Sequence, residues 1–124
     1  MANKLIPTEG KITIGSKTLK VIYDDNPTSQ SLIKQMPFTV ELKDYAGIEK
    51  IFYPKKALSG KGAPKGADPE KGDIMYYEPW GDVAIFYKDF GYADGLIKLG
   101  RIEGDVDFLK ESENIEAKFE VMAK

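Results

Sequence analysis

The residues best able to do chemistry are concentrated between Gly72 and Ile102. This stretch holds half of the chain's aromatic side chains, which are Tyr76, Tyr77, Trp80, Phe86, Tyr87, Phe90 and Tyr92. Four carboxylates also lie between residues 73 and 89. Ring faces with polar tips suit the binding of peptide segments or flat ligands. Paired carboxylates suit glycoside hydrolysis or the binding of a hard cation.

The four carboxylates do not form a recognisable motif. They are Asp73, Glu78, Asp82 and Asp89. No D-x-[DN]-x-[DN]-G calcium loop occurs among them, and nothing in their spacing sets the separation that a glycosidase pair needs. Solvated acids in turns are the commoner interpretation, so the sequence favours no acid chemistry here.

The composition excludes several common classes of site. The chain has no histidine and no cysteine, which removes the imidazole base, the thiolate nucleophile and the usual zinc ligands. Its formal charge is −2, and Arg101 is the single arginine among 18 basic residues. Because arginine is the usual residue for bidentate phosphate and guanine recognition, the sequence predicts no nucleic-acid partner.

Length and hydropathy favour one domain over residues 1–124. The N-terminal segment lacks an apolar run of signal-peptide length, and no segment approaches the roughly 20 apolar residues of a membrane span. We therefore expect a cytoplasmic protein without a membrane partner. The sequence gives no basis for a metal or a cofactor, and it does not indicate an oligomeric state.

The N-terminal part of the chain predicts a hairpin followed by a helix. Apolar residues alternate at 12–14 and 18–23 on either side of a glycine turn, a pattern typical of two paired strands. Asn26 and Pro27 then signal the start of a helix, because asparagine caps free N–H groups and proline fits the first helical position. The proline after Met36 should end it there.

Strands dominate the middle of the chain. Alternation predicts one at 38–43 with a returning strand at 48–53, and the apolar runs at 83–87 and 96–102 predict two buried strands. Residues 54–71 are instead rich in proline, glycine and lysine. They lack a GxxxxGK[ST] phosphate motif, so a solvated loop is the leading interpretation and an anion-contacting loop is the alternative.

The C-terminal part completes the pattern with a short helical turn at 104–110 and a strand at 115–121. The chain thus predicts about eight short strands and one clear helix. A closed barrel leaves no exposed edge strand, so it is favoured over an open sheet, and a sandwich is the alternative.

The central residues also resemble those of a known family. The segments MPFTVELKDYAGIEKIFYP, YYEPWGDVAIFY and GLIKLGRI, between Met36 and Ile102, are similar to the small microbial cyclophilin-like proteins. The resemblance implies a mainly β fold, a closed eight-stranded cyclophilin-like barrel with one or two short capping helices.

Cyclophilins that isomerise prolyl bonds carry an arginine and a histidine in their site, and neither stands at the matching positions here. By the resemblance, Lys50 occupies the arginine position and Leu96 the histidine position. The Gln-Gly-Gly segment that follows the arginine strand in that family has no counterpart after Tyr53. Lysine lacks arginine's rigid fork of donors, so isomerase activity should be weak or absent.

The side chains expected to contact a ligand are Tyr77, Trp80, Phe86, Tyr92 and Arg101. The rings would wall a groove for proline-containing peptides or a small ligand, although core packing also explains any ring on a strand. Arg101 would anchor such a ligand or else pair with Glu103. The sequence thus predicts a non-catalytic binding module, with weak peptidyl-prolyl cis-trans isomerase activity as the alternative.

Overall fold

Eight antiparallel strands close into a barrel in the computed structural model, which describes residues 8–111 and 114–122. The eight barrel strands and the two short strands outside the barrel, β5 and β8, are in chain order β1 (Thr8–Ile14), β2 (Lys17–Tyr23), β3 (Phe38–Tyr45), β4 (Glu49–Phe52), β5 (Gly66–Ala67), β6 (Asp73–Tyr77), β7 (Asp82–Phe86), β8 (Ala93–Asp94), β9 (Leu96–Glu103) and β10 (Asn114–Val121). The order around the barrel is β1-β10-β3-β4-β7-β6-β9-β2, and β5 pairs with β8 in a separate ribbon. The prediction of a closed eight-stranded barrel is confirmed.

A hairpin and a helix begin the described chain, as the sequence predicts. The hairpin β1–β2 pairs Ile12 with Leu19. The helix α1 (Pro27–Ile33) starts at Asn26, whose side chain accepts a hydrogen bond from the Ser29 amide at 2.7 Å. It ends at Ile33 rather than at Met36. The residue before a proline avoids helical geometry, and the chain leaves the helix through a last turn of shorter-range hydrogen bonds.

Alternate residues of the barrel strands point inward and fill the barrel interior. Its buried members include Ile12, Val21, Leu42, Phe52, Ile74, Tyr76, Val83, Ile85, Leu99, Ala117 and Phe119. Leu32 of α1 and Leu109 of a 3₁₀ turn (Asp107–Glu111) join the same cluster. Because successive strand residues point to opposite faces, the other parity of these strands lies on the outer surface.

Strands β6 and β7 are buried on both faces. A second apolar cluster of Met75, Ala84, Phe86 and Leu96 lies on their outer side and is separate from the interior. Ala67 of β5 and Ala93 of β8 pack against this cluster. The short ribbon therefore covers part of the outer face of the barrel.

The lysine-rich segment 54–71 is not simply a solvated loop, so that expectation is wrong in part. Leu58 belongs to the interior cluster, and its amide donates to the Tyr76 hydroxyl at 3.2 Å. The Ser59 carbonyl accepts a hydrogen bond from the Thr28 hydroxyl of α1. These contacts tie the segment to the barrel.

The interior contains one hydroxyl that the fold leaves without a partner. Tyr23 is fully buried, and its Oη forms no hydrogen bond within the part of the chain that the structure describes. Burial accordingly raises the pKa of Tyr23. Tyr76 differs, because its hydroxyl accepts the Leu58 amide.

This contrast makes a stability prediction. Tyr23→Phe removes a buried donor without a partner, so the free energy of unfolding should stay unchanged or rise by about 1 kcal/mol. Tyr76→Phe, the matched control, leaves the Leu58 amide without its acceptor and should lower it by about 1 kcal/mol. Urea denaturation of both variants measures the difference, and equal losses in the two would contradict the prediction.

Candidate functional site

A groove runs along the outer face of the barrel beside the ribbon. Its cavity volume is about 200 Å³, and it is lined by Tyr45, Glu49, Tyr77, Trp80, Asp82, Phe86, Phe90, Ala93 and Leu96. We call this the outer groove. Five of its nine lining residues are aromatic, and two are carboxylic acids.

The alternation of strand residues decides which side chains reach the outer groove. On β4, Phe52 packs into the barrel interior and Ile51 against the outer cluster, so Lys50 shares the inner parity and Glu49 the outer one. On β7, Val83 and Ile85 face inward. Asp82 and Phe86 therefore lie on the groove side, as does Glu49, whose Cα partner is Phe86.

Trp80 lies in the turn between β6 and β7. Gly81 has a φ of +77°, a left-handed conformation that glycine adopts without strain, and its amide bonds the Tyr77 carbonyl at 2.8 Å. The turn also packs against Gly95. Pro79 lies so close to this glycine that a Cβ added to Gly95 would be 2.9 Å from the proline ring. Trp80 remains 50% exposed.

The rings of the groove contact one another. The Trp80 ring lies edge-on to those of Tyr45 and Tyr77, each with centroids 5.4 Å away. Phe86 and Phe90 pack at 5.9 Å. Such edge-to-face and tilted pairs are the preferred aromatic arrangements, so the groove wall consists of two groups of contacting rings.

Asp82 is the unusual polar group of the groove. Its side chain is buried, with the residue only 2% exposed, and its Oδ1 has no hydrogen-bond partner among the described residues. Burial raises the pKa of Asp82, against the effect of a hydrogen bond from its own backbone amide. A buried carboxyl oxygen without a donor is costly.

Glu49 experiences the same environment. Burial, followed by the nearby charges of Asp82 and Asp44, raises the pKa of Glu49 to about 7 from its ordinary value of 4.5. Desolvation disfavours the charged form of a carboxyl, and so do like charges close by. The groove therefore holds two acids whose pKa values are raised above the ordinary ones, chiefly by burial.

Lys50 is turned away from the groove and into the barrel. It is fully buried, its Nζ lies 3.2 Å from Asp44 Oδ1, and it sits over the Tyr87 ring. The Tyr87 hydroxyl donates to the same carboxylate oxygen. Hydrogen bonds from Tyr87 and Lys50 outweigh the desolvation of Asp44 and hold its pKa below the ordinary value. The position matched to the cyclophilin arginine thus gives the groove no cation.

Four of the other predicted site residues meet in the groove. Tyr77, Trp80 and Phe86 line its wall, and Leu96, at the position matched to the cyclophilin histidine, lines it as a buried apolar side chain.

Tyr92 and Arg101 do not line the outer groove. The Tyr92 ring packs over Gly66 in the ribbon, and its hydroxyl bonds Asp94. Arg101 places Nη1 2.8 Å from Asp73 Oδ1. The ion pair considered in the sequence therefore exists with Asp73 instead of Glu103, and its partner is a buried carboxylate.

The structure adds five groove residues that the sequence did not indicate as ligand contacts: Tyr45, Glu49, Asp82, Phe90 and Ala93. The acidity of Asp82 was visible in the sequence, but its burial was not. Tyr45 and Phe90 come from the end of β3 and the loop after β7, so only the strand order brings them together.

Two other acids of the central stretch have partners outside the groove. Asp73 bonds Arg101, and Asp89 accepts from the Lys71 amide at 2.8 Å. Over residues 8–111 and 114–122, no group of three acidic side chains is gathered as a metal site would need. No helix in that part of the chain has the length and apolar character to cross a membrane.

Comparison with known proteins agrees with this architecture. The model of the Cyclophilin-like family matches residues 12–120. A hypothetical protein from Archaeoglobus fulgidus, known from its solution structure, superposes with a TM-score of 0.71 at 17% identity, covering 98% of this chain and all of the other. At that identity the similarity concerns the fold alone. Among curated proteins, none matches the sequence.

The raised pKa of Glu49 predicts how stability depends on pH. The folded state holds the Glu49 proton more tightly than the unfolded chain. The stabilisation that comes from protonated Glu49 is therefore complete below pH 4.5 and is lost as the pH rises through about 7. Glu49→Gln should remove about 1 to 3 kcal/mol of the stability lost between pH 5 and pH 8.

Urea denaturation at the two pH values measures this effect. The exposed Glu116 of β10 provides a matched control, because Glu116→Gln should keep the wild-type pH dependence. A Glu49→Gln variant with the full wild-type loss would contradict the assignment of that loss to Glu49.

Proposed function

The chain belongs to the cyclophilin-like family, and we propose that it acts as a non-catalytic binding module whose outer groove takes a peptide segment or a small ligand. The proposal rests on the ring-lined cavity on the outer face of the barrel. Soluble proteins rarely leave connected aromatic groups on a concave surface unless something binds them.

The exposure of the rings supports this proposal. Trp80 and Phe90 are each about half exposed, although both pack against other rings of the groove. Phe86 and Leu96 are buried beneath them. Covering the exposed faces with an apolar ligand would remove them from water, which favours binding by about 25 cal/mol per Å².

The size of the groove limits the ligand. A cavity of about 200 Å³ is below the 300–1,000 Å³ typical of drug-sized ligands. It suits one side chain of a peptide, a proline ring included, or a small molecule of that size. Proline-containing peptides encountered in the cytoplasm are therefore among the proposed partners.

The chemistry of the groove argues against efficient isomerisation. Catalysis of prolyl rotation benefits from a cationic donor directed at the prolyl nitrogen. None of the nine residues that line the groove is a lysine or an arginine. Lys50 lies inside the barrel against Asp44, and Leu96 offers no polar atom. Ligand binding, without acceleration of bond rotation, is the function that fits.

An exchange experiment tests both parts of this proposal. Adding a short Ala-Pro-Phe peptide should shift the Trp80 indole resonance in NMR spectra, because Trp80 is the single tryptophan and lies in the groove. The cis–trans exchange rate of the peptide should stay at its uncatalysed value, since no cation reaches the bound bond. Acceleration at micromolar protein would overturn the non-catalytic assignment.

Two exposed aromatic residues form a matched pair of variants. Phe90→Ala should weaken peptide binding about tenfold, because Phe90 lines the groove. Tyr92→Ala should change it less than about twofold, because Tyr92 lies on the ribbon outside the groove. Equal effects of the two substitutions, or no Trp80 shift with any peptide, would count against the outer groove as the binding site.

A further inference from the structure

The outer groove contains two carboxyl groups and no basic side chain. Its ionisable acids are Glu49 and Asp82, in a chain that carries 18 lysines and arginines elsewhere. We propose that the ligand of the groove carries an organic ammonium group with N–H donors on an apolar body of side-chain size, an inference that rests on the binding function proposed above.

Asp82 supplies the acceptor for this ammonium group. Asp82 lines the groove with its residue only 2% exposed, and its Oδ1 is buried without a hydrogen-bond partner among the described residues. Asp73 shows how the same barrel satisfies a buried carboxylate, because Arg101 and the Glu70 amide donate to it at 2.8 and 2.9 Å. Asp82 Oδ1 has no such donor among the described residues, and an N–H group of the ligand would fill that role.

The rings supply the second half of the recognition. Trp80 is flanked by Tyr45 and Tyr77 at centroid distances of 5.4 Å, so several ring faces and edges surround one small volume. A cation within about 6 Å of an aromatic face is attracted by the ring quadrupole, and tryptophan gives the strongest attraction. Phe86 and Phe90 accommodate the apolar body of the ligand.

Other ligand charges fit the groove less well. Two carboxyls would repel a carboxylate or a phosphate, and a neutral ligand without a donor would leave Asp82 Oδ1 unsatisfied. A quaternary ammonium would satisfy the rings but has no N–H for Asp82. The combination of acceptor and rings therefore favours an ammonium group that still carries hydrogen.

Protons compete with the ammonium group for the same carboxyls. The charged and titratable groups around Glu49 are Asp44 and Tyr45 of β3, Lys50 of β4, Tyr77 of β6, Asp82 of β7 and Tyr87 next to β7. Lys50 faces the interior and is engaged by Asp44. Glu49 ionises near pH 7, so binding of a cation should strengthen as the pH rises through that value.

A matched pair of small molecules tests the proposal on the intact chain. 2-Phenylethylammonium and 2-phenylethanol differ only in the terminal group, and titration calorimetry with NMR of Trp80 measures both. At pH 8 the ammonium compound should bind about tenfold tighter than the alcohol or more. The preference should narrow at pH 6, where the proton occupies Glu49.

Variants of Asp82 and Glu49 show how much each acid contributes to the preference for the ammonium compound over the alcohol. Asp82→Asn should reduce the preference to about threefold or less, and Glu49→Gln should retain most of it but remove its pH dependence. Glu116→Gln, on an exposed face of β10, changes the net charge equally and should behave as wild type. If Asp82→Asn does not fold, the Glu49→Gln variant and the wild-type pH comparison still decide the outcome.

A second arm identifies the source of the ammonium group. Capped lysine and capped norleucine peptides differ by the same terminal charge, and preferential binding of the lysine peptide indicates a protein side chain. Binding of the free amine alone indicates a small metabolite. Either result supports the proposal.

Two outcomes would overturn the ammonium proposal and leave the proposed binding function in place. Equal affinity for amine and alcohol at pH 8 removes the ammonium requirement but leaves a binding groove. Binding of neither molecule, while Ala-Pro-Phe peptides still shift Trp80, also removes only the ammonium inference. Binding of neither, with Trp80 unperturbed by peptides, removes the proposed function as well.

Discussion

A residue on a barrel strand faces either the interior or the outer surface, and on β4 and β7 this constraint separates the core from the groove. Phe52 and Lys50 lie on the inner side of β4, while Glu49 lies on the outer side. A shift of register by one residue would exchange them. It would bring the lysine to the groove and place a carboxyl against the interior rings. The presence of Glu49 rather than Lys50 in the groove therefore depends on the register of one four-residue strand, whereas Asp82 comes from β7.

The burial of β6 and β7 on both faces makes this arrangement rigid. The interior cluster holds one side of the pair, and the outer cluster with the ribbon β5–β8 holds the other. Asp82 begins β7, so its carboxyl lies at the edge of a strand that cannot move without disturbing both clusters. A proton, or a donor that enters the groove, would satisfy Asp82 Oδ1, which has no hydrogen-bond partner among the described residues.

The sequence predicts the elements better than it predicts the site. Strict alternation around Ile12 and Val21 identifies the hairpin, and Asn26 with the following proline identifies the helix start, because both are local signals. On β7, however, both parities are apolar. Alternation could not distinguish Ile85, which is in the interior, from Phe86, which is in the groove. The two-residue strands of the ribbon are too short to have a period at all.

The groove also required information that is not local. Tyr45 is 45 residues away from Phe90 along the chain, and they share a cavity because β4 pairs with both β3 and β7. The family resemblance supplies that strand order, whereas composition and spacing do not. The side chain orientations then follow from register, which explains why Tyr92 and Arg101 were plausible ligand contacts in the sequence but lie outside the groove.

The positions of Lys50 and Arg101 explain why neither cation contributes to the groove. Lys50 is buried and pairs with the exposed Asp44, whereas Arg101 pairs with the buried carboxylate of Asp73, so each ion pair has one buried member. Removing one partner of such a pair costs more than the pair contributes, because the remaining charge is left without a counterion. Turning either cation toward the groove would break its ion pair and therefore destabilise the fold. The groove keeps its acids without an internal counterion, and this electrostatic imbalance, rather than the loss of a catalytic arginine alone, sets the chemistry that its ligand must supply.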